Sequence, residues 1–183
     1  MAFIGLKYVV AAPITTETTA SVTYGTGFVV GKAITANVNI NTADVKLYAD
    51  DAVAESDHGF IDGTVEVGIA HMTDDIQTKM LGHTVSTGVV TASADDEIPY
   101  NGIGFYAPKM VGGARKYRAI WLTKTQASEP NETFNTRNGQ TEFTTPSISC
   151  AVMADTTGAW KIETTVETEA AAISWLNTKA NIA

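Results

Sequence analysis

The side chains able to do chemistry in this sequence are three histidines, three acidic clusters and a single cysteine. His58, His71 and His83 are scattered, and no His-Glu-x-x-His or comparable spacing joins them into a metal set. His71 and His83 flank a short predicted helix, so they could approach each other with Asp74 or Asp75 nearby. The commoner situation of such a histidine is a lone surface position at a helix end. The clusters Asp50-Asp51, Asp74-Asp75 and Asp95-Asp96-Glu97 lack the spaced oxygen ligands of a calcium loop. Carboxylates adjacent on a loop usually diverge into solvent rather than forming a glycosidase pair. Cys150 has no cysteine to pair with and no histidine that sequence can assign to it, and it reads as a small buried hydrophobe on a strand.

Other catalytic signatures fail on spacing. No serine sits in a nucleophile elbow, and Lys32, after Gly25, Gly27 and Gly31, lacks the neighbouring Ser or Thr and the glycine spacing of a phosphate loop. Tyr106, Tyr117, Trp121 and Trp160 could line a sugar-binding face, but aromatics at strand spacing are more often core or interface. No catalytic, metal or cofactor residue is assigned, and an enzyme is not expected.

The elements that position these residues follow from composition and period. The chain has 183 residues, is 44% apolar and carries a formal charge of −8, with a pI near 4.7. That length suits one domain with one core, and the abundance of Val, Ile and Thr favours strands. An acidic chain is poorly suited to holding nucleic acid or an anionic membrane, because such binding relies on Lys and Arg. Lys7 interrupts the apolar run of the N-terminus, so no signal sequence is read there, and no stretch is long enough for a membrane helix. The expectation is a protein made in the cytoplasm.

Gly5 to Ala12 reads as a first strand or docked arm ended by Pro13, within an N-terminal arm of about residues 1–21 that includes a loop-like threonine run. Strands are expected at Val22 to Val30, Ile34 to Ile40, Phe60 to Ile69, Val85 to Ala92, Ile103 to Val111, Tyr117 to Thr125 and Glu142 to Met153. An edge strand at Trp160 to Thr164 completes the set. Asn138-Gly139 is the strongest hairpin turn. Thr73 to Leu81 forms a helix capped by Thr73 and closed by Gly82. A second helix runs from about Glu167 to Lys179, with capping-box spacing at Thr164 and Glu167 and a stripe of Ile173, Leu176 and Ala180. Strands separated by short polar joints point to a sandwich or barrel.

The stretch from Lys46 to Asp57 has strand patterning without an evident role in a monomer's core. Its two halves alternate around Asp50-Asp51, as in a protruding hairpin or loop of about residues 41–59. A hairpin of that size is marginal alone in water, which suggests that another subunit completes it.

Several segments in order, among them GLKYVVAAPI, GKAITANV, LYADDAVAESD, PYNGIGFY, YRAIWLTKTQASEPNETFNTR, EFTTPSI and AISWL, resemble the major tail protein family of long-tailed bacteriophages of Gram-positive hosts. Family members often carry an aromatic just before the Glu-Pro dipeptide, whereas this chain reads Gln126-Ala127-Ser128-Glu129-Pro130. The resemblance implies a structural virion protein, assembled in the host cytoplasm. Its expected fold is mainly β with flanking α, a tail-tube-type β-sandwich whose inner sheet joins a ring-wide β-barrel, here a single domain with no C-terminal immunoglobulin-like domain. Six copies would form a ring, and stacked rings a hollow conduit for the genome. The implied partners are tail tip or initiator, tape measure and tail terminator proteins, with DNA passing through unbound and no membrane. Within that frame Lys46, Leu47, Tyr48, Asp50, Asp51, Glu55 and Asp57 are the expected inter-ring contact, and Glu66 and Glu142 the expected lumen acids. The hairpin and Thr15 to Thr23 are expected to order on docking. Alternatives are the inner tube of a contractile injection system or tail-like bacteriocin, and a β-sandwich carbohydrate-binding module.

Overall fold

The run Val9-Val10-Ala11-Ala12 has no polar alternation, and in the folded chain it is buried on both faces. Val9 and Ala11 point into one core cluster with Phe28, Val65, Ile103, Leu122 and Ile148. Val10 and Ala12 point into a second cluster with Trp121, Ala172 and Leu176. A strand covered on both sides reads as a continuous apolar stretch, which is why this one does. The computed structural model describes residues 4–49, 52–131 and 145–183.

The strands are β1 (Lys7–Glu17), β2 (Val22–Tyr24), β3 (Phe28–Gly31), β4 (Ala33–Thr42), β5 (Val45–Ala49), β6 (Ala52–Asp57) and β7 (Phe60–Ile69), followed by β8 (Thr84–Ser86), β9 (Val89–Thr91), β10 (Tyr100–Val111), β11 (Ala114–Ala127), β12 (Ser147–Met153) and β13 (Lys161–Val166). The helices are α1 (Asp74–Lys79) and α2 (Glu169–Ala180). The architecture is mainly β and sandwich-like. The main sheet runs β2-β1-β10-β11-β12-β7-β4, with β3 branching from β1 and β13 from β11. Branching lets the sheet fold on itself: β11 pairs with β13 along Tyr117–Leu122 and with β12 along Lys124–Ala127. The first core cluster fills the interior and α2 covers the opposite face of β1, β10 and β11.

Two small hairpins leave the ends of one ribbon. Strand β7 pairs antiparallel with β4, with Thr42 opposite Phe60 at one end and Ala33 opposite Ile69 at the other. The β5–β6 hairpin emerges at the first end, whereas α1 and the β8–β9 hairpin follow the second.

Several expectations are corrected. Strand β1 does not end at Pro13 but continues to Glu17, because a proline removes one donor and the pairing with β2 is already irregular between Ile14 and Thr16. The threonine run is not wholly loop: Thr15 to Glu17 and Val22 to Tyr24 form a hairpin, since threonine favours extended backbone, and Thr18 closes its turn on Ser21. Val22 to Val30 splits into β2 and β3. A Cβ at the intervening Gly27 would lie 2.2 Å from the Ala180 carbonyl oxygen, so the chain there passes against the end of α2. Val85 to Ala92 is two strands, not one, reversed at Thr87 and Gly88, both with positive φ. Thr164 and Glu167 make no capping box, because pairing with β11 carries β13 to Val166; Thr168 caps α2 instead, accepting from the Ala171 amide at 3.2 Å. Asn138, Gly139 and Glu142 lie outside the described residues.

Candidate functional site

The exposed face of β4, β7 and β12 is built from short polar side chains. Along β4 the exposed residues are Thr35, Asn37, Asn39 and Asn41, alternating with half-buried Ala36, Val38 and Ile40. Strand β7 presents Asp62, Thr64 and Glu66 while Val65, Val67 and Ile69 go inward, and β12 presents Ser147, Ser149 and Ala151. The register sets Glu66 between Asn37 and Ser149, and Thr64 between Asn39 and Ala151. Asn41 donates to the Asp62 carboxylate at 2.6 Å. None of these three strands contains Lys or Arg. The expected lumen acid Glu66 therefore sits on a smooth, uncharged-to-acidic surface, and Asp62, which sequence reasoning missed, shares it. The period of two that selected Glu66 also selects Asp62; only the register with β4 reveals their common setting.

The cations lie elsewhere. Lys109, Arg115, Lys116, Arg118, Lys124 and Lys161 belong to β10, β11 and β13. Most have acidic or polar partners there: Arg118 and Lys161 reach Glu163 at 2.6 and 3.1 Å, Lys116 reaches Glu167 at 2.8 Å, and Lys124 reaches Glu17 at 2.7 Å. Lys109 donates to Thr165 at 2.9 Å. The Arg118 guanidinium holds the Glu163 carboxyl below its ordinary range, with Lys161 adding to it.

The sandwich is open along one margin. Among the described residues β4 pairs only with β7, and β13 only with β11, so each has an unpaired backbone edge. Between them lies an apolar cleft of about 480 Å³, with Val38 and Ile40 on one wall, Trp160 and Lys161 on the other, and Phe105 and Ile120 as its floor. Ile34 on β4 and Ile162 on β13 are exposed, as is Ile61 on the neighbouring β7. Edges of this kind are a pairing template for another chain.

The hairpin expected from Lys46 to Asp57 is present as an antiparallel pair separate from the main sheet. Lys46 faces Ser56, Leu47 faces Glu55, Val45 faces Asp57 and Tyr48 faces Val53, with a register shift between Leu47 and Tyr48. At its base the Ala43 amide donates to Gly59 at 2.8 Å, and Asp44 pairs with Lys46 at 3.0 Å. Asp50 and Asp51, like Glu142, lie outside the described residues.

No protein-family model matches the chain, and no curated protein matches it.

Among the described residues no hydrogen bond or ion pair joins His71 to His83. His83 is not a lone surface group: its Nδ1 lies 2.8 Å from Asp96 and its Nε2 3.0 Å from Glu129. The two carboxylates stand on opposite sides of the ring, so they cannot converge on one ion. Sequence reading missed this set because Glu129 is far away in the chain. The four aromatics weighed as a sugar platform are taken up in packing: Trp121 meets Tyr24 edge-on at 5.2 Å, Tyr106 meets Tyr117 at 6.0 Å, and Trp160 stacks on Phe60 at 4.7 Å. Cys150 is fully buried, and burial pushes its thiol up to about 12.

Proposed function

We propose that this chain is a major tail tube subunit of a long, non-contractile phage tail, polymerising as stacked hexameric rings into a conduit for DNA. The observation that carries the reading is the cation-free polar face of β4, β7 and β12, bounded by an unpaired sheet edge. Duplex DNA carries about one negative charge per ~1.7 Å, and a handful of Lys or Arg contacts suffices to hold it. A wall of Asn, Thr and Ser with a few carboxylates offers no such contact, so a polyanion slides past it. Six copies joined edge to edge, β4 of one beside a free edge of the next, would close their inner sheets into one barrel and cover the apolar cleft.

Stacking needs a second, head-to-tail contact along the axis. The β5–β6 hairpin is our candidate. It projects from one end of the β4–β7 ribbon, and a two-stranded ribbon of its size gains stability from a surface it docks on. The partners of this reading are other copies of the chain, with tail tip, tape measure and terminator proteins at the tube's ends and core.

The test is electron microscopy of the purified protein, concentrated at neutral pH, beside Asp50→Lys/Asp51→Lys. Wild type forms stacked rings or hollow tubes without a sheath; the double variant remains a folded subunit and does not elongate. Wild-type protein that stays monomeric even with a tail tip complex added would refute the reading. Normal tubes from the variant would move the axial contact off the hairpin while leaving the tube intact.

A further inference from the structure

His83 occupies a position that neither the tube reading nor the core requires. It follows α1, with its own amide held by the Gln77 carbonyl at 2.8 Å, and its side chain is only 8% exposed. Its two ring nitrogens address two other parts of the chain. Nδ1 is 2.8 Å from Asp96 Oδ2, in the turn before β10, and Nε2 is 3.0 Å from Glu129 Oε2, just past the end of β11. A carboxylate can only accept from such a ring, so satisfying both contacts requires both nitrogens to carry hydrogen, which is the imidazolium. A neutral ring leaves one nitrogen lone pair facing a carboxylate.

We propose that His83 is a proton-controlled latch: charged, it ties the Asp96 turn and the Glu129 exit of β11 to the end of α1, and on losing its proton it lets Glu129 go.

The two arms are not equivalent, and that decides which opens. The Asp96 side chain is 17% exposed and that of Glu129 62% exposed. Asp96 Oδ2 is also fixed by the Ser93 amide at 2.9 Å. The neutral ring therefore keeps its hydrogen on Nδ1 toward Asp96 and turns the Nε2 lone pair to Glu129, which swings into solvent. Ser128 stays in place, because its amide and hydroxyl both donate to the Ser149 carbonyl, at 2.8 and 2.9 Å. The opening is thus confined to the Glu129 side chain. Among the described residues no other charged group bonds to the ring: Asp74, Asp95 and Glu97 make no hydrogen bond or ion pair with it, Asp75 and Lys79 on α1 pair with each other at 2.8 Å, and the β8–β9 hairpin contains no ionisable side chain. The hydrogen bond to Asp96, with support from Glu129, holds the ring's proton more tightly than in a free histidine, so the latch stays closed to higher pH than a free imidazole would keep it and opens as the pH rises through that raised value.

The experiment is NMR titration of the full chain labelled with 15N in histidine and 13C in glutamate, beside Glu129→Gln and with exposed His71 as internal control. Expected are a His83 midpoint above 6.5, a neutral form protonated on Nδ1, and a midpoint moved downward in Glu129→Gln, whose fold an exposed amide leaves intact. The carboxyl carbon signal of Glu129 shifts with the same midpoint as the ring. A His83 midpoint at or below the ordinary value, a neutral form protonated on Nε2, or a Glu129 signal indifferent to the His83 titration would each overturn the latch. No result depends on whether the chain forms tubes.

Discussion

Gly104→Ala tests how α2 is seated on the sheet. Gly104 lies in β10 between Val10 of β1 and Trp121 of β11. A Cβ at that position would stand 2.6 Å from Trp121 Cε3 and 2.8 Å from Leu176 Cδ2. Carbon atoms pack best at roughly 3.5–4.0 Å, so the added methyl overlaps both by about 1 Å. Neither neighbour yields readily. Trp121 is fully buried and braced edge-on by Tyr24, and Leu176 is fully buried on α2. Overpacking of a core costs about 1–3 kcal/mol, and two rigid contacts put this site at the upper end, about 3 kcal/mol. Leu176→Ala alone removes a buried side chain and costs a further estimate of about 3 kcal/mol, within the 2–5 typical of such truncations. In the double variant the Leu176 half of the clash disappears, so the two losses should fall short of additivity by about 1 kcal/mol. Urea unfolding followed by tryptophan fluorescence reads these numbers as midpoint shifts at constant slope. Gly104→Ala within ~0.5 kcal/mol of wild type, the scatter of an ordinary surface change, would refute the seating described. So would strict additivity of the pair.

Two further outcomes follow from burial and charge. Cys150 should be unreactive toward a thiol-specific reagent at pH 8 in the folded protein and react fully after denaturation, because its burial disfavours the thiolate; rapid native labelling would contradict its place in the core. Asp96, Glu163 and Glu169 all have lowered carboxyl pKa values, through the Ser93 amide, Arg118 and Tyr106 respectively, so their contribution is complete above the ordinary range of 3.8–4.5 and is lost as the pH falls through the depressed values. His83 has the opposite sign: its contribution is complete below 6.5 and is lost as the pH rises through its raised value. Thermal midpoints measured from pH 2 to 10 should therefore fall at both ends, and Glu129→Gln should flatten the alkaline limb alone.

What could be read from the sequence was whatever period and turn chemistry carry locally. The alternation of Val65, Val67 and Ile69 gave β7 its bounds, and Thr73, Asp74 and Asp75 marked the start of α1, with Ile76 and Met80 buried as their spacing required; the helix ends at Lys79 with Met80 as its C-cap, short of the expected end at Leu81. The errors came where pairing overrides local preference. Pro13 reads as a terminator, yet β10 holds the strand through it at Asn101. The box at Thr164 and Glu167 obeys a helix rule, but β11 offers β13 six paired positions and the strand takes them. Contacts at long separation were invisible for the same reason: His83 to Glu129 and Lys124 to Glu17 each join segments that only the folded sheet brings together.

The separation of charge gives the tube reading its physical content. Net charge alone does not make a good channel wall, because a chain at −8 can still present a cationic stripe to its lumen. The distribution matters more. Here β10, β11 and β13 hold half of the chain's twelve basic residues, many of them engaged by Glu17, Glu163 and Glu167, while the ribbon of β4, β7 and β12 holds none. A single Glu66→Lys exchange would put six ammonium groups around each ring of a hexameric tube at one height, enough to contact several phosphates at once. The salt dependence of a duplex held by Z such contacts scales as about 0.9Z in logarithmic slope, so the defect would be steep at low salt and fade as salt rises. Tubes of this variant, if assembled normally, should retain DNA that wild-type tubes release, and equal release at every ionic strength would show that the β4–β7–β12 face does not line the channel.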